Sequence, residues 1–201
     1  MEPARREITA EEVNALPVRR YEGEIVLVED ADGLARAAAD AASCGVVGFD
    51  TETRPAFRAG ESYLPSVFQL AGERAVYVMQ LKAFPSAAAL KTVLEDAQLV
   101  KAGVSVSDDL KNLKKLFPFQ EASVVDLGQV AKRNGFRQTG VRNLAALVLG
   151  FRVPKGAKTT NWAAARLTPQ QLLYAATDAW VCRELYLAFR SAGLIGPPGG
   201  A

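Results

Sequence analysis

The chain has 201 residues, a formal net charge of +2, 49% hydrophobic and 23% charged residues, two cysteines and no histidine. That length and composition suit one globular domain with enough core to fold without disulfides or a structural metal. The absence of histidine excludes Ser-His-Asp and Cys-His catalysis, histidine general bases and histidine-ligated metals.

Cys44 and Cys182 are too far apart in sequence for a CxxC pair and too few for a zinc site. Residues 1–20 carry Glu7, Glu11 and Glu12 and no apolar run, and no segment has the length of a membrane span. The expectation is a cytoplasmic protein with reduced thiols. Residues 1–20 read as an arm, with Thr9-Ala10-Glu11-Glu12 as a capping box for a short helix ending before Pro17. Glu24 to Val28 reads as a strand, and Asp30 or Asp32 caps an Ala-rich helix reaching about Ser43. Gly45 to Glu52 is a strand, 53–63 a loop, and Val67 to Leu70 and Ala75 to Met79 a hairpin about Gly72. A helix near 86–96 leads to a strand at Leu99 to Val104 and a helix near 106–117, whose buried face is Leu110, Leu113 and Phe117.

Val124 to Leu127 fits either a short strand or a helix entry. Helices near 127–134 and 141–149 follow, then a long one from Pro169 to about Ser191, capped by Thr168. Gly193 to Ala201 reads as a flexible tail. Strands mixed with helices early and helices alone later argue for an α/β fold on one central sheet.

Three carboxylate clusters carry the chemistry. Asp50 and Glu52 are two apart in a strand, so both project from one face, while Phe49 and Thr51 project from the other. Asp108 and Asp109 open a helix, where acids also serve as dipole partners. Tyr174 and Asp178 share a face of the long helix in apolar surroundings, where an acid is costly unless paired, capped or bound to metal. Singly, each cluster also fits a solvated strand end, a helix start or a polar stripe. Jointly they fit two-metal phosphoryl chemistry, in which carboxylates from separate elements hold two hard divalent cations.

Phe49-Asp50-Thr51-Glu52, Ser107-Asp108-Asp109-Leu110 and Tyr174-Ala175-Ala176-Thr177-Asp178 resemble the three motifs of the DEDD 3′–5′ exonucleases. Tyr-x-x-x-Asp is the spacing of the tyrosine (DEDDy) branch, typified by ribonuclease D and the Werner syndrome exonuclease domain. The resemblance spans about residues 24–191, and Asn161-Trp162 followed by Leu167-Thr168-Pro169 extends it. It implies a ribonuclease H-like fold, a mixed five-stranded sheet flanked by helices. It implies that Asp50, Glu52, Asp109 and Asp178 ligate two divalent metal ions, Mg²⁺ or Mn²⁺, and that Tyr174 positions the attacking water. Asp109 is preferred to Asp108 because leucines follow it at +1 and +4. On this reading residues 1–20 are an arm, 21–192 a stand-alone exonuclease domain, and 193–201 a tail.

Between Asp126 and Asp178 lie 51 residues with eight Lys or Arg and no acid. Such a segment steers a polyanion toward the carboxylates, although ordinary solvated helix faces also fit it. Lys155, Lys158, Asn161 and Trp162 are candidate substrate contacts, with Trp162 as either a base-stacking ring or a core residue. Thr51 and Arg54 are further candidates beside the first motif, with Arg58 and Tyr63 in the same loop. Gln69 and Asp126 read as structural hydrogen-bonders, and Lys111, Lys114 and Lys115 as a solvated face.

The expected activity is metal-dependent hydrolysis from the 3′ end of single-stranded or frayed DNA or RNA, releasing nucleoside 5′-monophosphates. The competing expectation is a nuclease-like module that binds nucleic acid without cutting. Oligomeric state and the choice between RNA and DNA are left open by the sequence.

Overall fold

A computed structural model of the chain describes residues 5–58, 60–84, 87–156 and 159–196. Its elements in chain order are α1 (Ala10–Ala15), β1 (Glu24–Val28), α2 (Ala31–Ser43), β2 (Val46–Thr53), β3 (Pro65–Ala71) and β4 (Ala75–Gln80). There follow α3 (Ala88–Glu95), β5 (Val100–Gly103), α4 (Val106–Leu116), β6 (Val124–Asp126), α5 (Leu127–Arg133), α6 (Val141–Leu144) and α7 (Pro169–Ser191). The strands form one sheet in the order β1-β4-β3-β2-β5-β6. β2–β3 and β3–β4 are antiparallel, whereas β1–β4, β2–β5 and β5–β6 are parallel.

The sheet is therefore mixed and six-stranded, one strand more than the resemblance implied. The ambiguous stretch at Val124 does both jobs. It pairs with β5 through Asp126, and the Asp126 carboxylate then caps α5 by accepting from the amides of Gly128 and Gln129. A third amide, that of Ser105, donates to the same oxygen and fixes the turn from β5 into α4. Ser105 sits there with φ of 61°, a left-handed turn residue.

Alternation along the strands divides the core into two layers. Val47 and Phe49 of β2 and Phe68 and Leu70 of β3 pack against Leu34 of α2, Leu90 of α3 and Leu113 of α4. Val46 of β2 and Val100 and Ala102 of β5 pack against α5, α6 and the C-terminal half of α7. Val67 and Ala71 of β3 pack against Ala175, Ala176 and Ala179 of α7. α7 starts at a full capping box, with Thr168 accepting from the Gln171 amide and Pro169 in the first turn. α6 runs into a π-helical turn at Ala145–Leu149 that stops at left-handed Gly150. Among the described residues, no helix is long and apolar enough to cross a membrane.

Lys101 is the anomaly of the sheet. Its side chain is fully buried and its Nζ donates to the Asp96 carbonyl beyond the end of α3. Burial lowers its pKa from the usual 10.5 to about 8. At pH 7 the charged form is buried in the folded chain and solvated in the unfolded one. The folded-state pKa lies below the unfolded one, so stability rises with pH across the window from about 8 to 10.5. The penalty below that window is about 3 kcal/mol at 1.36 kcal/mol per unit. Lys101→Met should therefore raise stability at pH 7 by about 2 kcal/mol, allowing for the lost hydrogen bond. Urea unfolding at a series of pH values checks it: the gain should shrink as pH passes from about 8 to 10.5.

Candidate active site

β2 and α7 build the site together. Gly48 faces α7, and a Cβ there would lie 2.0 Å from the carbonyl oxygen of Ala179. With no side chain between them, the strand and helix backbones come into direct contact. Two residues on, Asp50 projects from the same face, and Glu52 two beyond it. Asp178 precedes Ala179 on the contacting helix. One carboxylate oxygen from each of Asp50, Glu52 and Asp178 falls within 4.8 Å of the others. Glu52 and Asp178 are buried and Asp50 is half-buried.

Three like charges at that spacing repel unless a cation or proton lies among them. The donors are all carboxylate oxygens, which fit a hard divalent ion such as Mg²⁺ or Mn²⁺ and not a soft metal. Gln69 of β3 stands directly across from Asp50 in the ladder. Its fully buried amide has no hydrogen-bond partner at either end, contrary to the structural bonding expected for it.

Tyr174 lies one helical turn before Asp178 and is hydrogen-bonded to it. Burial, reinforced by the charges of Asp178 and Glu52, raises its pKa well above 10. The phenol thus keeps its proton and acts as a hydrogen-bond donor. Its ring is held on two sides. A Cβ on Gly156 would lie 2.4 Å from the ring, and the indole of Trp162 lies 6.0 Å away, centroid to centroid.

Trp162 is fully buried in that packing, with no ring face open to a nucleobase. Of the two readings open for it, this burial favours the core one, in which it supports Tyr174 from within. Asn161 is exposed, and its side chain accepts from the Ala163 amide to stabilise the turn before α7. Arg54 is exposed and lies over the ring of Tyr63, 4.6 Å from its centroid. Neither lines the carboxylate cavity. Lys158 lies outside the described residues, as do Pro197 to Ala201 of the tail.

Asp109 is not part of the group of three. Thr51, on the opposite face of β2 from Asp50, donates its hydroxyl to the Asp109 carboxylate. Burial, with smaller contributions from Asp108 and Asp126, raises the Asp109 pKa to about 6, against the opposing pull of the Thr51 hydrogen bond. Asp108 is exposed.

A cavity of about 440 Å³ opens over the acids. Besides Asp50, Glu52, Tyr174 and Asp178, it is lined by Thr51 and walled by Gly140, Val141, Arg142 and Asn143 around the start of α6. Arg142 donates to the Pro154 carbonyl, and its charge opposes the upward shift at Tyr174. Asn143 carries no signal in the sequence, and Arg142 entered only as one of eight bases. A second cavity of about 420 Å³, lined by Leu34, Met79, Leu90 and Phe117 among others, has no carboxylate and belongs to the opposite layer.

Residues 25–193 match the family model described as 3′-5′ exonuclease. The chain belongs to that family. Over 156 residues the chain is 31% identical to the bifunctional 3′-5′ exonuclease/ATP-dependent helicase WRN of Mus musculus, covering 74% of this chain and 11% of that protein. It is 32% identical over 144 residues to ribonuclease D of Gluconacetobacter diazotrophicus, covering 70% of this chain and 36% of that one. The chain thus spans a minority of the length of each of these two relatives. Its fold superposes on the EXO domain of Aedes aegypti Nibbler with a TM-score of 0.76 at 24% identity, over 88% of this chain and 92% of that one. Escherichia coli RNase D gives a TM-score of 0.75 at 21% identity, over 86% of this chain and 47% of the other.

Proposed function

We propose that the chain is a 3′–5′ exonuclease of the tyrosine branch, which hydrolyses the 3′-terminal phosphodiester of single-stranded or frayed DNA or RNA and releases nucleoside 5′-monophosphates. The convergence of Asp50, Glu52 and Asp178 within 4.8 Å beneath an open cavity carries this reading. A module that only grips phosphates gains nothing from concentrating negative charge where the phosphates sit.

Two divalent cations, when bound, supply an activated water and charge stabilisation for the departing 3′ oxygen. Asp50, Glu52 and Asp178 would hold them, with Asp109 as a fourth carboxylate by its motif position. Tyr174, kept protonated, donates a hydrogen bond and is placed to orient the attacking water. Arg142 and Asn143 on the opposite wall offer donors to the phosphate oxygens. Thr51 acts through Asp109, and Lys155 reaches the strand beyond the terminal nucleotide.

The test is to incubate the protein with 5′-labelled single-stranded DNA and RNA of one sequence, with Mg²⁺, Mn²⁺ or EDTA. A metal-dependent ladder shortening from the 3′ end is expected. A strand that is bound but uncut in every metal overturns the reading in favour of a binding module.

Tyr174→Phe removes the hydroxyl and leaves the ring between Gly156 and Trp162. Turnover should fall by about 10²-fold while KM and the metal-dependent rise in melting temperature persist, because the loss is in orienting water. Unchanged turnover would remove Tyr174 from the mechanism.

A further inference from the structure

Residues 5–23 precede the segment that matches the family model, yet they are docked along the basic half of the domain. The Arg19 amide donates to the Arg152 carbonyl, the Arg152 amide donates to the Pro17 carbonyl, and Arg152 Nε donates to the Leu16 carbonyl. The Ile8 backbone exchanges two hydrogen bonds with the Gln138 side chain. The Tyr21 amide donates to Thr177 Oγ1 on α7, one residue from Asp178.

The arm thereby becomes one wall of a groove that begins at the carboxylates. Arg142 and Asn143, which line the acid cavity, also line a neighbouring cavity of about 550 Å³ with Asn14 of α1, Arg152 and Lys155. Lys155 is shared in turn with a third cavity of about 350 Å³, which returns to Tyr174 and reaches Arg20. Among the described residues, no acidic residue lines the 550 Å³ or the 350 Å³ cavity. Two acids of the arm are engaged elsewhere, Glu7 with Arg137 and Glu12 with Arg5.

We propose that the N-terminal arm is part of the nucleic-acid interface. Asn14 and Arg20, with Arg142, Arg152 and Lys155, form a groove that holds the phosphodiester backbone on the 5′ side of the terminal nucleotide. This rests on the reading above for the direction of the strand. Apart from Tyr174 at its carboxylate end, the groove among the described residues offers cationic and amide donors and no aromatic side chain, so it takes the backbone of either sugar and does not read bases.

The experiment is fluorescence anisotropy with labelled oligothymidylate and oligouridylate in EDTA, across about 50 to 200 mM salt. Arg20→Gln with Lys155→Gln removes two exposed charges. Affinity should fall about tenfold, and the slope of log K against log salt should fall by about 1.4, at 0.7 per single-strand phosphate contact. Asn14→Glu, which touches the groove only from the arm, should also weaken binding. Arg74→Gln, exposed in the β3–β4 turn, is the charge control and should bind as the unchanged chain does. Thermal unfolding confirms that each variant is folded. Wild-type affinity and slope in both groove variants overturn the proposal, even where the metal-dependent ladder is seen. A weakened groove in a protein that cuts nothing leaves the groove standing and removes the hydrolytic reading instead. Equal effects on both oligonucleotides are expected, and an effect confined to one sugar overturns the backbone assignment.

Discussion

Asp50→Asn is expected to lower turnover by about a thousandfold or more while leaving the apo protein at least as stable as before. The two halves of that result have one cause. Asp50 shares a 4.8 Å cluster with Glu52 and Asp178, and three carboxylates so placed oppose one another in the folded chain. At an effective dielectric of about 20, two unit charges at that separation repel by a few kcal/mol before solvent and hydrogen bonds reduce it. Removing one charge while keeping the shape of the side chain relieves part of this repulsion. The same change takes away an anionic oxygen donor from the divalent site. The signature is a melting temperature that no longer rises on adding Mg²⁺ or Mn²⁺, because a ligand stabilises only through its affinity for the folded state. Calorimetry with each metal and rate measurements on one labelled strand read both effects on the same preparation. A variant that keeps its turnover, or one that loses stability and activity together without metal, would remove Asp50 from the site.

Much of this architecture is legible in the sequence because its signals are local. Thr168-Pro169 fixes the start of α7, and the i, i+4 spacing places Tyr174 and Asp178 on one face. Alternation through Val47, Phe49 and Thr51 against Gly48, Asp50 and Glu52 assigns both faces of β2 before any contact is known. What escapes is set by contacts distant in sequence. Trp162 stands between Thr159-Thr160-Asn161 and three alanines, so its own segment leaves both readings open, and its burial is decided by Tyr174 and by the strands beneath α7. Gln69 alternates correctly with its neighbours, yet nothing local reveals that its amide finds no partner beside Asp50. The sixth strand is three residues long, too short for a periodicity to decide between the strand and the helix entry that Val124 to Leu127 offers. The docking of the arm depends on backbone hydrogen bonds between Pro17 and Arg152, which leave no trace in side-chain pattern.

Gly48→Ala is the stability counterpart, and it tests the contact on which the site depends. The added methyl would lie 2.0 Å from the Ala179 carbonyl oxygen and 2.7 Å from the Arg183 amide nitrogen. Both are backbone atoms of one helix, so no side-chain rotation relieves the overlap. Strand β2 is held on both sides by β3 and β5, which leaves α7 as the element that must retreat. Overpacking of this kind costs about 3 kcal/mol or more when rigid elements have to separate. For a chain of this length that is a fall in melting temperature of roughly 6–12 °C. The displacement carries Asp178 and Tyr174 away from Asp50 and Glu52. A shift of about 1 Å in a reacting constellation costs on the order of 10²-fold in turnover. Gly45→Ala is the matched control: a Cβ there meets nothing within 4 Å, so stability should change by less than about 0.5 kcal/mol. If Gly48→Ala melts within about 2 °C of the parent, under 1 kcal/mol of destabilisation, then α7 does not approach β2 this closely. The carboxylate cluster would then need some other origin than the absence of a side chain at residue 48.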